Sequence, residues 1–230
     1  YDFVLITAAV LPAVFLMVKV YRSDHLEKES PELLWVLVRA GIFSALIALV
    51  LERIFSAILS MAVPQNHPLY SVLLYFVIVA FSEEGFKYLL LKKRTWKSPE
   101  FNCQYDGVVY SVFVALGFAL WENVGYVLSY GFGTAMIRAV TAVPGHACFG
   151  VFMGVFYGLA RRYMNEGKES ESKILRVFAV LVPALLHGTY DYIASINSPG
   201  SGWIFAGFVV VLFIVAFFMI RKMSAQDRYI

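Results

Sequence analysis

The chain is 230 residues long, 60% hydrophobic and 17% aromatic, with 15% charged residues and a formal net charge of +3; its mean hydropathy is +0.71. These values exclude an ordinary soluble domain, in which about a quarter of the residues are charged. They indicate an all-α polytopic membrane protein, since one span takes roughly 20 mostly apolar residues at about 1.5 Å each.

In chain order, seven apolar segments are predicted to span: 3–20, 33–51 with an extension to 62 left open, 69–91, 107–129, 136–160, 174–196 and 202–220. The first lacks a basic leader and a small-residue cleavage site, so it reads as a retained span and not as a signal peptide. The stretch "SDHLEKESPELL" that follows reads as an interfacial turn, with Pro31 near the start of span two. No connection is long enough for a separate soluble domain, so residues 1–230 are read as a single membrane-embedded domain.

Basic residues alternate along the chain. Lys19, Arg22 and Lys28 follow span one; Lys92, Lys93, Arg94 and Lys97 follow span three; Arg161, Arg162, Lys168 and Lys173 follow span five; Arg221, Lys222 and Arg228 follow span seven. The connections "VPQNHPLY", "SYGFGTAMIR" and "NSPGSG" hold a single basic residue, Arg138. This pattern predicts the N-terminus outside and the C-terminus in the cytoplasm of a multi-pass cell-membrane protein. The +3 charge is thereby explained by topology, and no nucleic-acid partner is expected. Two cysteines, Cys103 and Cys148, make a disulfide framework or thiolate metal cluster a poor expectation.

Charges inside spans cost about 2.5–3.5 kcal/mol each even on the lenient insertion scale, so they mark functional sites by default. Span two carries Glu52 and Arg53, read as partners for other helices or as markers of the outer interface. Span three carries Glu83, Glu84 and Lys87 in "FSEEGFKYLLLKK". Glu122 and Asn123 follow in span four, His146 in span five, and His187 with Asp191 in span six. Glu83 and Lys87, Glu122 and Tyr126, and His187 and Asp191 each stand at i, i+4 and share a helix face. Ala142, His146, Gly150, Gly154 and Gly158 form one small-residue row, which predicts that His146 lies at a helix interface.

Counting residues from the outer loops places Glu122 and His146 about 12 Å deep and His187 about 15 Å deep, with Glu83 and Glu84 at about 20 Å or more. If these groups converge, the carboxylates outnumber Lys87, and the excess charge demands a cation or protonated carboxyls. A divalent metal would then activate water, or a carboxylate would act as general base.

The series "EEGFK", "FALWEN", "HACFG" and "HGTYD" resembles the motifs of the PrsW family of intramembrane proteases, within the larger group that holds the type II CAAX prenyl endopeptidases and Abi proteins. The resemblance covers spans three to six, about half the chain, with core motifs at 81–191. It implies a peptidase that makes a site-1 cut, near the extracytoplasmic side, in a single-span membrane substrate such as an anti-sigma factor, with a downstream protease in the same cascade. Carried over, Glu83 and Glu84 match the glutamate pair, Glu122 the acidic or histidine position of the second motif, and His146 and His187 the histidines. Glu122 and Asp191 stand where the CAAX enzymes usually have histidine and asparagine, and extra carboxylates favour a cation. The expected roles are therefore catalysis by Glu83, Glu84, Lys87 and Asp191, and binding of a divalent metal, zinc first, by Glu122, His146 and His187. A metal-free glutamate mechanism is the other course of the same reaction. Lys87 as a neutralising ion-pair partner and Asp191 as an orienting neighbour of His187 are the plainer readings. A proton or ion transporter with a carboxylate–histidine relay, and a non-catalytic membrane scaffold, are the alternative functions.

Overall fold

A computed structural model describes residues 2–230. The described chain is helical: α1 (Asp2–Arg22), α2 (Pro31–Ala62), α3 (Pro68–Val72), a π-helical segment (Leu73–Ala80), α4 (Phe81–Thr95), α5 (Asp106–Tyr130), α6 (Phe132–Val140), α7 (Ala142–Asn165), α8 (Glu169–Ser195) and α9 (Ser201–Ala225). Seven spans result, each long and apolar enough to cross a membrane. The protein is thus a multi-pass membrane protein.

Two spans are more elaborate than the apolar runs foretell. The third is one continuous rod made of α3, the π segment and α4, and the fifth is broken at Thr141 into the short α6 and the long α7. Span two does continue to Ala62; its 32 residues would measure about 48 Å, against a hydrocarbon thickness of about 30 Å. It starts where Pro31 suggested, with Ser30 as N-cap: the Ser30 hydroxyl accepts from the Leu33 amide at 3.3 Å, and Pro31 occupies the first turn, where a missing N–H is harmless.

At the end of the bundle that carries Lys92, Lys93 and Arg94, the loops and the C-terminal tail are knitted together. The Gln104 amide donates to the Arg228 carbonyl at 3.0 Å, the Ile230 amide to the Asn102 carbonyl at 2.7 Å, and the Tyr105 amide to Asp227 Oδ1 at 2.8 Å. Cys103 pairs with Tyr229 in an isolated antiparallel bridge. Burial raises the Cys103 thiol pKa well above its ordinary value, so the sulfur stays protonated. Both cysteines are free and buried, as the absence of a disulfide framework requires.

Helix α5 is the axis of the fold and packs on α1, α2, α4, α6 and α7. Its contact with α7 is made backbone to backbone by the predicted small-residue row. A Cβ built on Gly154 would come within 2.5 Å of the Gly107 carbonyl oxygen and the Val108 Cα, and one on Gly158 within 2.2 Å of the Gln104 carbonyl oxygen. Without a hydrophobic force between helices in lipid, such close approach is what holds two spans together. It also fixes the azimuth of α7, and hence the direction in which His146 points. The outer faces of α1 and α9 expose Leu11, Phe15, Val211 and Phe218, the surface that lipid contact demands.

Gly154→Ala is expected to destabilise the protein by about 1–3 kcal/mol through overpacking. Gly207→Ala, at a site with no atom within 4 Å of the added methyl, should be neutral or stabilising by up to about 1 kcal/mol. Thermal unfolding in detergent measures both; equal melting temperatures would refute the glycine interface.

Candidate active site

Four of the described helices deliver the polar side chains that the apolar spans cannot accommodate singly. Glu83 and Glu84 lie in the first turn of α4, and Lys87 follows one turn on. Glu122 and Asn123 come from the second half of α5, His146 from the second turn of α7, and His187 and Asp191 from the last part of α8. Glu83, Glu84, Lys87, His146 and His187 are all at most 5% exposed.

Lys87 is the hub. Its ammonium donates to Glu84 Oε1 at 2.7 Å and to Glu83 Oε2 at 3.3 Å, and lies 3.2 Å from His146 Nδ1. The Phe118 ring closes its fourth side, 3.8 Å from ring centroid to nitrogen. His187 Nδ1 lies 2.9 Å from the same Glu84 oxygen and 3.8 Å from Glu83 Oε2, while its Nε2 faces Asp191 Oδ2 at 3.4 Å. Phe149, one turn after His146, stacks on the His187 ring at 4.7 Å and fixes its plane.

On the far side of His146, Nε2 meets Glu122 Oε2 at 2.8 Å. That oxygen also accepts from Arg138 Nη2 at 2.9 Å. Arg138 Nε donates in turn to Asn123 Oδ1 at 2.9 Å, and Asn123 donates to the Ala9 carbonyl on α1 at 2.8 Å. The arginine guanidinium sits over Tyr126 at 4.0 Å. All seven residues singled out from the sequence as catalytic or metal-binding thus come together.

Simple counting left the glutamate pair several ångströms too deep, and the 2.9 Å contact between Glu84 and His187 shows the gap closed. The π-helical stretch Leu73–Ala80 lies between the N-terminal end of this span and the pair. Wider i→i+5 turns use more residues per unit of axial length than α-helix does. Gly188 helps, because the space where its side chain would be is filled by Phe76 of the π segment, 2.6 Å from a built Cβ.

One ligating atom each from Glu83, Glu84, His146 and His187 lies within 4.8 Å of the others. Glu84 Oε2 is buried without a hydrogen-bond partner. Two imidazoles, two carboxylates and an orphaned buried oxygen are a donor set that fits a divalent metal of the zinc class. Glu122 lies outside that set, on the opposite nitrogen of His146.

A cavity of about 240 Å³ opens onto Glu83, Glu122, His146, His187 and Asp191. A second, of about 360 Å³, runs between α2 and α5 past Leu49, Trp121 and Gly125. Glu52, Glu83, Glu122 and Tyr126 line both. Sequence reasoning missed two members of this group. Arg138 passed as a topological residue, although a lone cation in an otherwise apolar segment was the available signal. Glu52, expected to partner other helices or to mark the outer interface, lines both cavities with its Oε1 buried and without a hydrogen-bond partner.

A family model described as PrsW family intramembrane metalloprotease matches residues 29–220. The chain is 33% identical over 229 residues to the protease PrsW of Halalkalibacterium halodurans, which covers 98% of this chain and 100% of that protein. It is likewise 33% identical over 218 residues to the protease PrsW of Oceanobacillus iheyensis, covering 95% of each chain. Over 134 residues, 56% of this chain and 55% of the other, it is 39% identical to the protease PrsW of Clostridioides difficile. No solved structure matches the chain.

Proposed function

The chain belongs to the PrsW family of intramembrane metalloproteases, and from that premise we propose that the buried group around Lys87 is its active centre, cutting a single-span membrane protein near the extracytoplasmic side. That the protein is a peptidase of the membrane follows from membership, and the relay and scaffold readings give way to it. The observation that supports this site is the meeting of Glu83, Glu84, His146 and His187 beside a cavity, inside otherwise apolar spans.

Roles follow from access. Glu83 lines both cavities, whereas Glu84 is fully buried and tied to Lys87 and His187. Glu83 is therefore the base: it takes a proton from water as the water oxygen bonds to the scissile carbonyl carbon. The same carboxyl then returns that proton to the departing amine as the carbon–nitrogen bond breaks. His146 and His187 are each held through one ring nitrogen, by Glu122 and Asp191, which leaves the other nitrogen aimed into the site with little reorganisation needed. Arg138 keeps Glu122 in place. Lys87 holds the glutamate pair in register.

Glu84, His146 and His187 would hold the metal, leaving Glu83 free. Glu122 is replaced in that role because its Oε2 already serves Arg138 and His146. A zinc ion bound there supplies Lewis acidity and a water nucleophile active near neutral pH.

Residues 1–230 are read as one protease domain, oriented with the N-terminus outside and the site in the outer half of the cell membrane. The anti-sigma factor substrate, the downstream protease and kinship with the wider CAAX group rest on the motif resemblance.

With a fluorogenic transmembrane substrate, Glu83→Gln and Glu84→Gln are each expected to lower kcat by about 10²–10⁴-fold at unchanged expression; full activity in both sinks the assignment. Elemental analysis of purified protein should find one transition metal of the zinc class per chain, reduced in His146→Ala and His187→Ala. An active, metal-free wild type would refute the metal ligands while sparing Glu83. Cysteines introduced into the 197–202 connection should react with an impermeant maleimide on intact cells, over a low background because Cys103 and Cys148 are buried. Labelling only after permeabilisation would reverse the orientation.

A further inference from the structure

A second ionisable group lies at the other end of α5. Asp106 is the first residue of that helix and Glu122 stands 16 residues later, roughly 24 Å along the axis. Around Asp106 gather Asp24 and Glu29, from the connection between α1 and α2, with one oxygen of each within 4.8 Å of the others. All three are nearly sealed from solvent: Asp24 is 1% exposed, Glu29 3% and Asp106 0%.

The partners of these carboxylates are divided in a telling way. Asp106 Oδ2 accepts from the amides of Asn102 and Cys103 at 3.1 and 2.7 Å, and Glu29 Oε2 accepts from the Tyr110 hydroxyl. Each of these two carboxylates is thus anchored through one oxygen. Both oxygens of Asp24 are buried with no hydrogen-bond partner, while the Glu29 and Asp106 carboxyls, whose second oxygens meet no donor from the rest of the protein, lie close enough to hydrogen-bond each other. The Lys28 ammonium donates to the carbonyls of Tyr21 and Asp24 and offsets part of the Asp24 charge without bonding to its carboxylate. The half-charge at the N-terminus of α5 is too small to neutralise three carboxylates.

We propose that Asp24, Glu29 and Asp106 form a second, structural site for a hard divalent cation, calcium or magnesium, which ties the loop between α1 and α2 to the start of α5. Nothing in the peptidase reading requires it. The donors are all oxygen, with neither imidazole nor thiolate, which selects the hard cations and separates this site from the histidine-bearing one. Unpartnered Asp24 is the carboxylate with most to gain: buried carboxylates are retained at a cost unless something positive meets them. A cation here would pin the loop that leads into the long span two. It would thereby brace the same end of the bundle that the C-terminal tail laces to residues 102–105.

The test uses the full chain purified in detergent and stripped with chelator, then returned to chelator-free buffer. Calcium chloride and magnesium chloride are added separately while the melting temperature is followed. At about a hundredfold excess over Kd the favoured ion should raise it by roughly 5 °C or more, and the two arms tell which ion the site takes. Asp24→Asn should abolish the rise, and Glu29→Gln should weaken apparent affinity at least tenfold. Glu84→Gln, altered only at the other site, should keep the rise in full. Direct calcium or magnesium binding to wild type, measured by calorimetry, covers the case in which a variant fails to fold. A wild type indifferent to both ions overturns the proposal, as does an undiminished rise in Asp24→Asn. An Asp24→Asn protein more stable than an ion-indifferent wild type would show that protons neutralise the cluster, and would also overturn it.

Discussion

One buried ammonium organises this membrane protein. Lys87 sits within 3.3 Å of acceptors on two helices, α4 and α7, against an aromatic face from a third, α5. None of these groups is tolerable in hydrocarbon alone, and each helix that bears one must turn it toward the others. The rest of the bundle answers to that constraint: α8 brings His187 to the lysine's own partner, and α6 brings Arg138 to the partner of His146. Breaking such a buried set by removing one member leaves an uncompensated charge, so the geometry of the site and the stability of the bundle rest on the same contacts.

Close helix packing supplies the precision that electrostatics alone lacks. Charges attract over several ångströms, but a catalytic constellation must be held to a fraction of one. The backbone contact of Gly154 with Gly107 and Val108 leaves α5 and α7 little freedom to slide or roll. Phe149 and Phe118 then fix the ring of His187 and the reach of Lys87 from positions one turn or one helix away. The asymmetry of the pair Glu83 and Glu84 follows, with Glu84 enclosed between Lys87 and His187 and Glu83 turned toward the cavity.

Much of this was legible in the sequence because lipid makes exceptions conspicuous. Seven apolar runs gave seven spans, and Glu83, Glu84, Lys87, Glu122, His146, His187 and Asp191 stood out as charges that need company. The glycine row told which face of α7 met a neighbour. Depth was not legible, since counting at a constant rise cannot see the π-helical turns before Glu83. Arg138 was hidden by a different cause: α6 is a short helix folded back against α5, and an apolar run does not announce that it will break at Thr141. The carboxylates at the basic end are not legible because Asp24 and Glu29 sit among the mixed charges of a stretch that reads as an interfacial turn. Their burial depends on contacts between segments some 80 residues apart, such as Tyr110 with Glu29, 81 residues from it.

The π-helical stretch has one more implication. Tyr75 and Val79 belong to it and line the cavity, whereas Glu83 and Glu84 follow it in regular α-helix. Wide turns are marginal, and a single-residue change of hydrogen-bond register converts them to tighter ones. Such a change would twist Tyr75 and Val79 about the helix axis while the glutamates, moored to Lys87 and His187, stayed where they are. The third span thus joins two kinds of helix at the site, a π-helical wall of Tyr75 and Val79 and a regular α-helical turn that carries the glutamates.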